Sequence, residues 1–278
     1  MRKGLCLGIV LALMLSLCAC KGVNPAPTDG TVSATQAATH ATAPAVTEAP
    51  VTVPVATEPP VTEPQAPEHS AIYLPDYTAD QIWEYFEEVV LHTEYSTGDG
   101  NTALVQKWNA PLRYRITGQP TDEDLAVLEN CFAQLNTVPG FPGIYPAEAG
   151  ELSNLNIGFM NPTDFKLAFS AFLQGEEANG AAQFWYYTAT NEIHTANIGY
   201  RTDVPQETRS SILVEEIINT LGISDTVLRT DSIVYQYSDE NLVLSDVDWT
   251  ILKLLYDPAI QCGMDFDQCR GIIPTLYY

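Results

Sequence analysis

The chain has 278 residues and carries 35 Asp and Glu against 12 Lys and Arg, a formal charge of −23 at pH 7. A surface with that excess of acid repels phosphate backbones and anionic headgroups, which excludes nucleic acid as a partner. The sequence holds no Gly-rich nucleotide loop, no G-x-S-x-G and no CxxC pair, so nucleotide, serine-hydrolase and thioredoxin chemistry have no residues to carry them.

At the start of the chain, Arg2 and Lys3 precede an apolar run over residues 5–17. These are the n- and h-regions of a secretory signal, and the run is too short to span a bilayer. The string Leu17-Cys18-Ala19-Cys20 resembles the lipobox of bacterial lipoproteins. That resemblance implies removal of residues 1–19, acylation of Cys20, and an extracytoplasmic protein anchored by lipid to the bacterial cell membrane. Each buried CH₂ of the acyl chains adds about 0.8 kcal/mol, and more than one chain is needed for stable anchoring. An ordinary secretory signal cut near Ala19 is the competing reading.

Residues 24–68 contain no aromatic side chain and are dominated by Thr, Pro, Ala and Val, with near-repeats at Thr47-Glu48-Ala49-Pro50, Thr57-Glu58-Pro59-Pro60 and Thr62-Glu63-Pro64. Proline removes backbone donors, and nothing large and apolar is available to offset the entropy of ordering. Residues 20–69 are therefore expected to form the lipidated cysteine and a disordered tether. In a polyproline-like state, at about 3.1 Å per residue, the tether reaches on the order of 140 Å. The composition also fits a glycosylated stalk.

Residues 70–278 are expected to form one globular domain. Thr78 followed by Ile82, Trp83, Phe86, Val89 and Val90 predicts a capped helix to about residue 92. Alternation over 104–107 and 112–116 predicts a half-buried strand ending at Gly118. Thr121 opens a helix carrying Leu125, Leu128, Phe132 and Leu135, closed by Val138-Pro139-Gly140. Strands follow at 155–160, 182–188 and 193–200, separated by Gly and Asn/Pro turns. Pro205 begins a long helix with Ile212, Leu213, Ile217, Ile218 and Leu221, stopped by Gly222. Ser245 caps another helix through Leu255, and a last helical turn is expected at 265–272. This order predicts an α+β fold in which helices pack on one mixed sheet.

Three cysteines remain in the domain. Cys131 lies in an apolar helical run and is expected to be a buried thiol, while Cys262 and Cys269 are spaced to close a short disulfide outside the cell if their geometry permits. In the aromatic run Phe184-Trp185-Tyr186-Tyr187, strand alternation sends two members inward, and the run offers either core packing or a stacking surface for cell-wall sugars. Asp265 and Asp267 lack the Gly and distal Glu of a calcium loop.

Several short strings resemble the metzincin zinc endopeptidases, most closely the matrixins. Lys107-Trp108 before Leu112-Arg113-Tyr114-Arg115-Ile116 is similar to their opening strand, and Leu155-Asn156-Ile157-Gly158-Phe159 to a later one. Asp231-Ser232-Ile233-Val234-Tyr235 resembles the turn beneath the metal, and the helix from Ser245 resembles the terminal helix. The chain is also similar to a family of bacterial exported lipoproteins with a domain of unknown function, through a Glu-Glu…Gly helix and the ending Leu255-Tyr256-Asp257-Pro258…Gly263-Met264.

The resemblance implies a zincin-like single domain and the pattern H-E-x-x-H-x-x-G-x-x-H/D, in which His at i and i+4 grip zinc and Glu deprotonates water. With Gly222 fixed, the first ligand position is Glu215, the general base Glu216, the second ligand Asn219 and the third Asp225. Both helical histidines are replaced, and the only histidines are His40, His69, His92 and His194. Val234 stands where that turn has Met. The zinc site is thus expected to be degenerate, with no zinc cofactor. Glu215 and Glu216 then belong to a solvated helix face, to a cleft reused for binding, or to an oxygen-rich site for a hard cation such as Ca²⁺ or Mn²⁺. The expected function is a non-catalytic, peptidase-derived binding or assembly domain for an envelope protein or peptide. The alternative is an atypical metal-dependent peptidase with Glu216 as base.

Overall fold

The computed structural model describes residues 72–91, 103–173, 178–238 and 240–277. The signal, Cys20, the tether and His92 lie outside them. At Thr78 the hydroxyl accepts from the Gln81 N–H at 3.2 Å, and the Gln81 side chain accepts from the Thr78 N–H at 2.9 Å. This reciprocal cap satisfies two donors at the start of α1 (Ala79–Phe86). A π-helical turn, Glu87–Leu91, continues it and buries Val89, Val90 and Leu91. The same device opens α2 (Asp122–Leu135) at Thr121 and Asp124, α5 (Asp246–Tyr256) at Ser245 and Asp248, and α6 (Phe266–Leu276) at Asp265 and Gln268. Asp265 is therefore a helix cap, and the turn expected at 265–272 is a helix of eleven residues.

Among the described residues six strands form one sheet: β1 (Lys107–Trp108), β2 (Leu112–Gly118), β3 (Ile144–Pro146), β4 (Leu155–Met160), β5 (Gly180–Tyr186) and β6 (Glu192–Arg201). β3, β2, β4 and β6 lie side by side and parallel. β5 runs antiparallel beside β6, and β1 adds a short parallel pairing at the start of β6. Among the described residues the fold is thus mixed, a mostly parallel sheet packed with six helices. Residues 104–106, expected as strand, are irregular. The helix α3 (Pro162–Leu173) stands where an Asn/Pro turn was expected. Its cause is local: Asn161 Oδ1 accepts from the N–H groups of Thr163 and Asp164 at 2.9 and 3.0 Å, and proline at a first helical position forfeits no hydrogen bond.

Strand alternation divides the helices between the two faces. Ile157, Phe159, Ala182, Phe184, Ala196, Ile198 and Tyr200 point to the main core, which also holds apolar side chains of α1, α2, α5 and α6 and of α4 (Gln206–Asn219). On the opposite face Phe165, Phe169 and Leu173 of α3 meet Ala178 and Ala181 in a smaller cluster. α4 is the central helix, with every residue from Ser211 to Asn219 buried. Ile212, Leu213, Ile217 and Ile218 contribute about 1.5–3 kcal/mol each by leaving water. The helix stops where Gly222 takes φ 94°, and a Cβ there would lie 1.9 Å from the Gln106 carbonyl oxygen, so only glycine fits.

Candidate functional site

The end of α4 is held by donors from two distant elements. Trp108 Nε1 donates to the Thr220 carbonyl at 2.8 Å, and the Tyr256 hydroxyl donates to the Leu221 carbonyl at 3.2 Å. These carbonyls lack helical partners, so the aromatic side chains fix where the helix ends. Trp108, legible in the sequence only as the prelude to a strand, is a clamp on this helix.

Glu215, Glu216 and Asn219 are all 0% exposed. This overturns the solvated-face expectation for the two glutamates. The reason is that α4 lies between the sheet and α2, so a position that reads as polar surface in the sequence is enclosed on every side. Glu215 and Asn219 are one turn apart on a single face. The Asn219 amide donates to Asp225 Oδ1 at 3.1 Å, so the second and third ligand positions meet as a hydrogen-bonded pair. Glu216 points to β5: a Cβ on Gly180 would lie 2.8 Å from Glu216 Oε1 and 2.4 Å from Ile212 Cγ2. Glycine on the strand makes the room that the carboxyl occupies.

The surroundings are aromatic and apolar. Tyr200 is fully buried and donates to the Leu213 carbonyl at 2.8 Å. Burial first, then the nearby Glu216, Cys131 and Glu215, pushes its phenol well above the ordinary value. It therefore stays neutral as a donor. Among the described residues no group of three His, Cys, Asp or Glu is arranged to hold a metal ion. His194 stands on β6, half-buried, with Nδ1 2.9 Å from Thr195 Oγ1 and its ring stacked on Tyr187 at 4.3 Å.

After Gly222 the chain turns through residues 231–235. Thr226 bridges to Tyr235, Ile233 and Val234 are buried, and Asp248 accepts from Ser232 Oγ at 2.6 Å and from the Ile233 N–H at 3.1 Å. Glu88, a residue the sequence did not single out, accepts from Thr226 Oγ1 at 2.6 Å and the Val227 N–H at 2.8 Å, tying the π-helical turn to this loop. Arg229 sits between the rings of Tyr77 and Tyr85 and pairs with Asp231.

A second region surrounds Lys107, where a cavity of about 700 Å³ is lined by Asn109, Glu192, Tyr256, Gln261 and Cys262. Lys107 Nζ donates to the carbonyls of Leu255 (2.8 Å), Ile260 and Asp257 (3.5 Å). Burial lowers its pKa to about 8. Three carbonyl partners make it a staple for the end of α5. Cys131, Cys262 and Cys269 are free thiols, so the pairing allowed for Cys262 and Cys269 is not formed. Cys262 Sγ instead lies 3.5 Å from the Lys107 carbonyl, and Cys131, as expected, is a buried thiol, pushed up to about 12 by burial.

No curated protein matches the chain. A family model described as a protein of unknown function, DUF2927, matches residues 79–275, and the chain belongs to that family.

Proposed function

We propose that the chain is an extracytoplasmic lipoprotein, anchored through Cys20, whose domain has a metzincin-like fold and serves in binding or assembly at the envelope, without catalysis by zinc. Three features support the fold. Four parallel strands end in one antiparallel strand, β5; α2 connects the first two of them; and α4 follows the last strand and ends on a left-handed glycine above a buried turn.

One observation carries the functional reading. Where the resemblance requires two imidazoles on α4, the chain has the carboxyl of Glu215 and the amide of Asn219, both fully buried, with that amide donating to Asp225. Zinc at neutral pH is held by imidazole, thiolate and carboxylate, and an amide that donates to the third ligand position presents no imidazole-like lone pair. The residues do not fit zinc. Glu216, enclosed against Gly180, has no exposure from which to activate water for a peptide bond.

Two assays test the two halves of this reading. Cys20→Ser is expected to release the protein from membranes and abolish lipid labelling; retention of both would refute the anchor. Purified full-length chain is expected to show no peptide hydrolysis that a chelator removes, and such an activity, lost in Glu216→Gln, would refute the non-catalytic domain.

A further inference from the structure

The sheet face opposite α4 carries a row of amides. Register places Arg115, Asn156, Asn197 and Gln183 side by side across β2, β4, β6 and β5. Ser153 Oγ donates to Asn156 Oδ1 at 2.6 Å, and Asn156 Nδ2 donates to Asn197 Oδ1 at 2.9 Å. The chain of bonds stops there. It leaves the Asn197 N–H groups and the whole Gln183 amide facing a cleft of about 240 Å³, whose other wall is Phe169 of α3 and Met160 at the end of β4. Arg115 is engaged at the far end, donating to the Glu151 carbonyl at 2.6 Å.

The aromatic run of β5 completes the arrangement. Phe184 and Tyr186 pack in the core, while Trp185 lies on the outer face, half-buried, two residues along from Gln183. Tyr187, 56% exposed, is already stacked on His194.

We propose that this cleft binds a neutral N-acetylated sugar, with the acetamido group on Asn197 and Gln183, its methyl against Phe169 and Met160, and the sugar ring on Trp185. The chemistry selects this class. The groups left free in the cleft are neutral amides beside apolar side chains, so an acetamido group finds both a hydrogen-bonding partner and a surface for its methyl. An indole face takes the C–H side of a pyranose ring. A peptide would instead pair with the backbone of β5, whose outer edge carries no strand among the described residues, and would leave the amide row unused. The inference deepens the binding reading and rests on an envelope location only for where such sugars are met.

The test is a tryptophan-fluorescence and NMR titration of the full-length chain in detergent micelles with tri-N-acetylchitotriose, cellotriose and an acetylated tripeptide. Binding of the N-acetylated sugar is expected in the micromolar to millimolar range usual for shallow sites, on the order of 0.1–1 mM. Gln183→Leu, at a half-buried position, and Trp185→Ala are each expected to weaken it about tenfold, the worth of one hydrogen bond or ring contact. No binding at about 10 mM, equal binding of cellotriose or of the tripeptide, or unchanged affinity in Gln183→Leu would each overturn the proposal. A failed Cys20→Ser release with intact sugar binding would overturn the anchor alone.

Discussion

At its first turns α4 buries Arg209 against Asp124 of α2 at 2.8 Å, and Gln206 and Thr121 supply the remaining bonds to that carboxylate. Two turns later the same helix buries Glu215 and Glu216 beside Tyr200, with Asn219 turned to Asp225. The first end is a buried ion pair that ties two helices. The second places acid where the resemblance would place metal ligands and a base. Burial alone thus does not separate a structural charge from a candidate functional one; the chemistry of the neighbouring donors does.

Breaking the first end is expected to have the largest effect. Arg209→Met leaves Asp124 buried without its cation and is expected to cost about 3–5 kcal/mol in urea unfolding. A loss under about 1 kcal/mol would mean that the two ends do not differ in this way. The pair also predicts a pH dependence. Burial opposes ionisation of Asp124, but hydrogen bonds from Arg209, Thr121 and Gln206 outweigh it and hold the carboxyl below its ordinary 3.8. The folded value lies below the unfolded one, so the contribution is complete above pH 3.8 and fades as pH falls through the folded value. The stability gap between wild type and Asp124→Asn is therefore expected to shrink on acidification.

The second end is probed from the strand. Gly180→Ala drives a methyl into Ile212 and Glu216 and is expected to cost about 1–3 kcal/mol by overpacking. Glu216→Ala is expected to cost about 2 kcal/mol through the cavity it leaves. Both would be near neutral if that face of α4 were solvated, and thermal unfolding of the variants decides between the two.

Lys107 offers the smallest test, as a third way to bury charge. Lys107→Met keeps the stem but strips a donor from three carbonyls and is expected to cost about 1–2 kcal/mol. Burial sets its folded value at about 8, below the ordinary 10.5. The unfolded chain holds the proton more tightly, so stability is expected to rise between about pH 8 and 10.5, and that rise is expected to vanish in Lys107→Met.

Much of this architecture was legible in the sequence because its signals are local. The caps at Thr78, Thr121 and Ser245, the alternating strand that ends at Gly118, the strand at 155–160, and Gly222 each act within a few residues, and each is where the sequence put it. Asn161-Pro162 was ambiguous, since the same pair opens a helix or makes a turn. The burial of Glu215 and Glu216 was not legible, because Glu-Glu on a helix reads as surface until packing against the sheet and α2 encloses it. Glu88 and the amide row were hidden for a related reason. Their partners lie far away in the chain, at Thr226 and across three strands.

The proposal that the second end of α4 does not hold zinc is tested most directly by the metal content of the purified full-length chain, wild type beside the Glu215→His, Asn219→His variant. No stoichiometric zinc is expected in the wild type, and uptake is expected in the variant, where two imidazoles one turn apart stand beside Asp225. Stoichiometric zinc in the wild type, removable by chelator, would contradict the account.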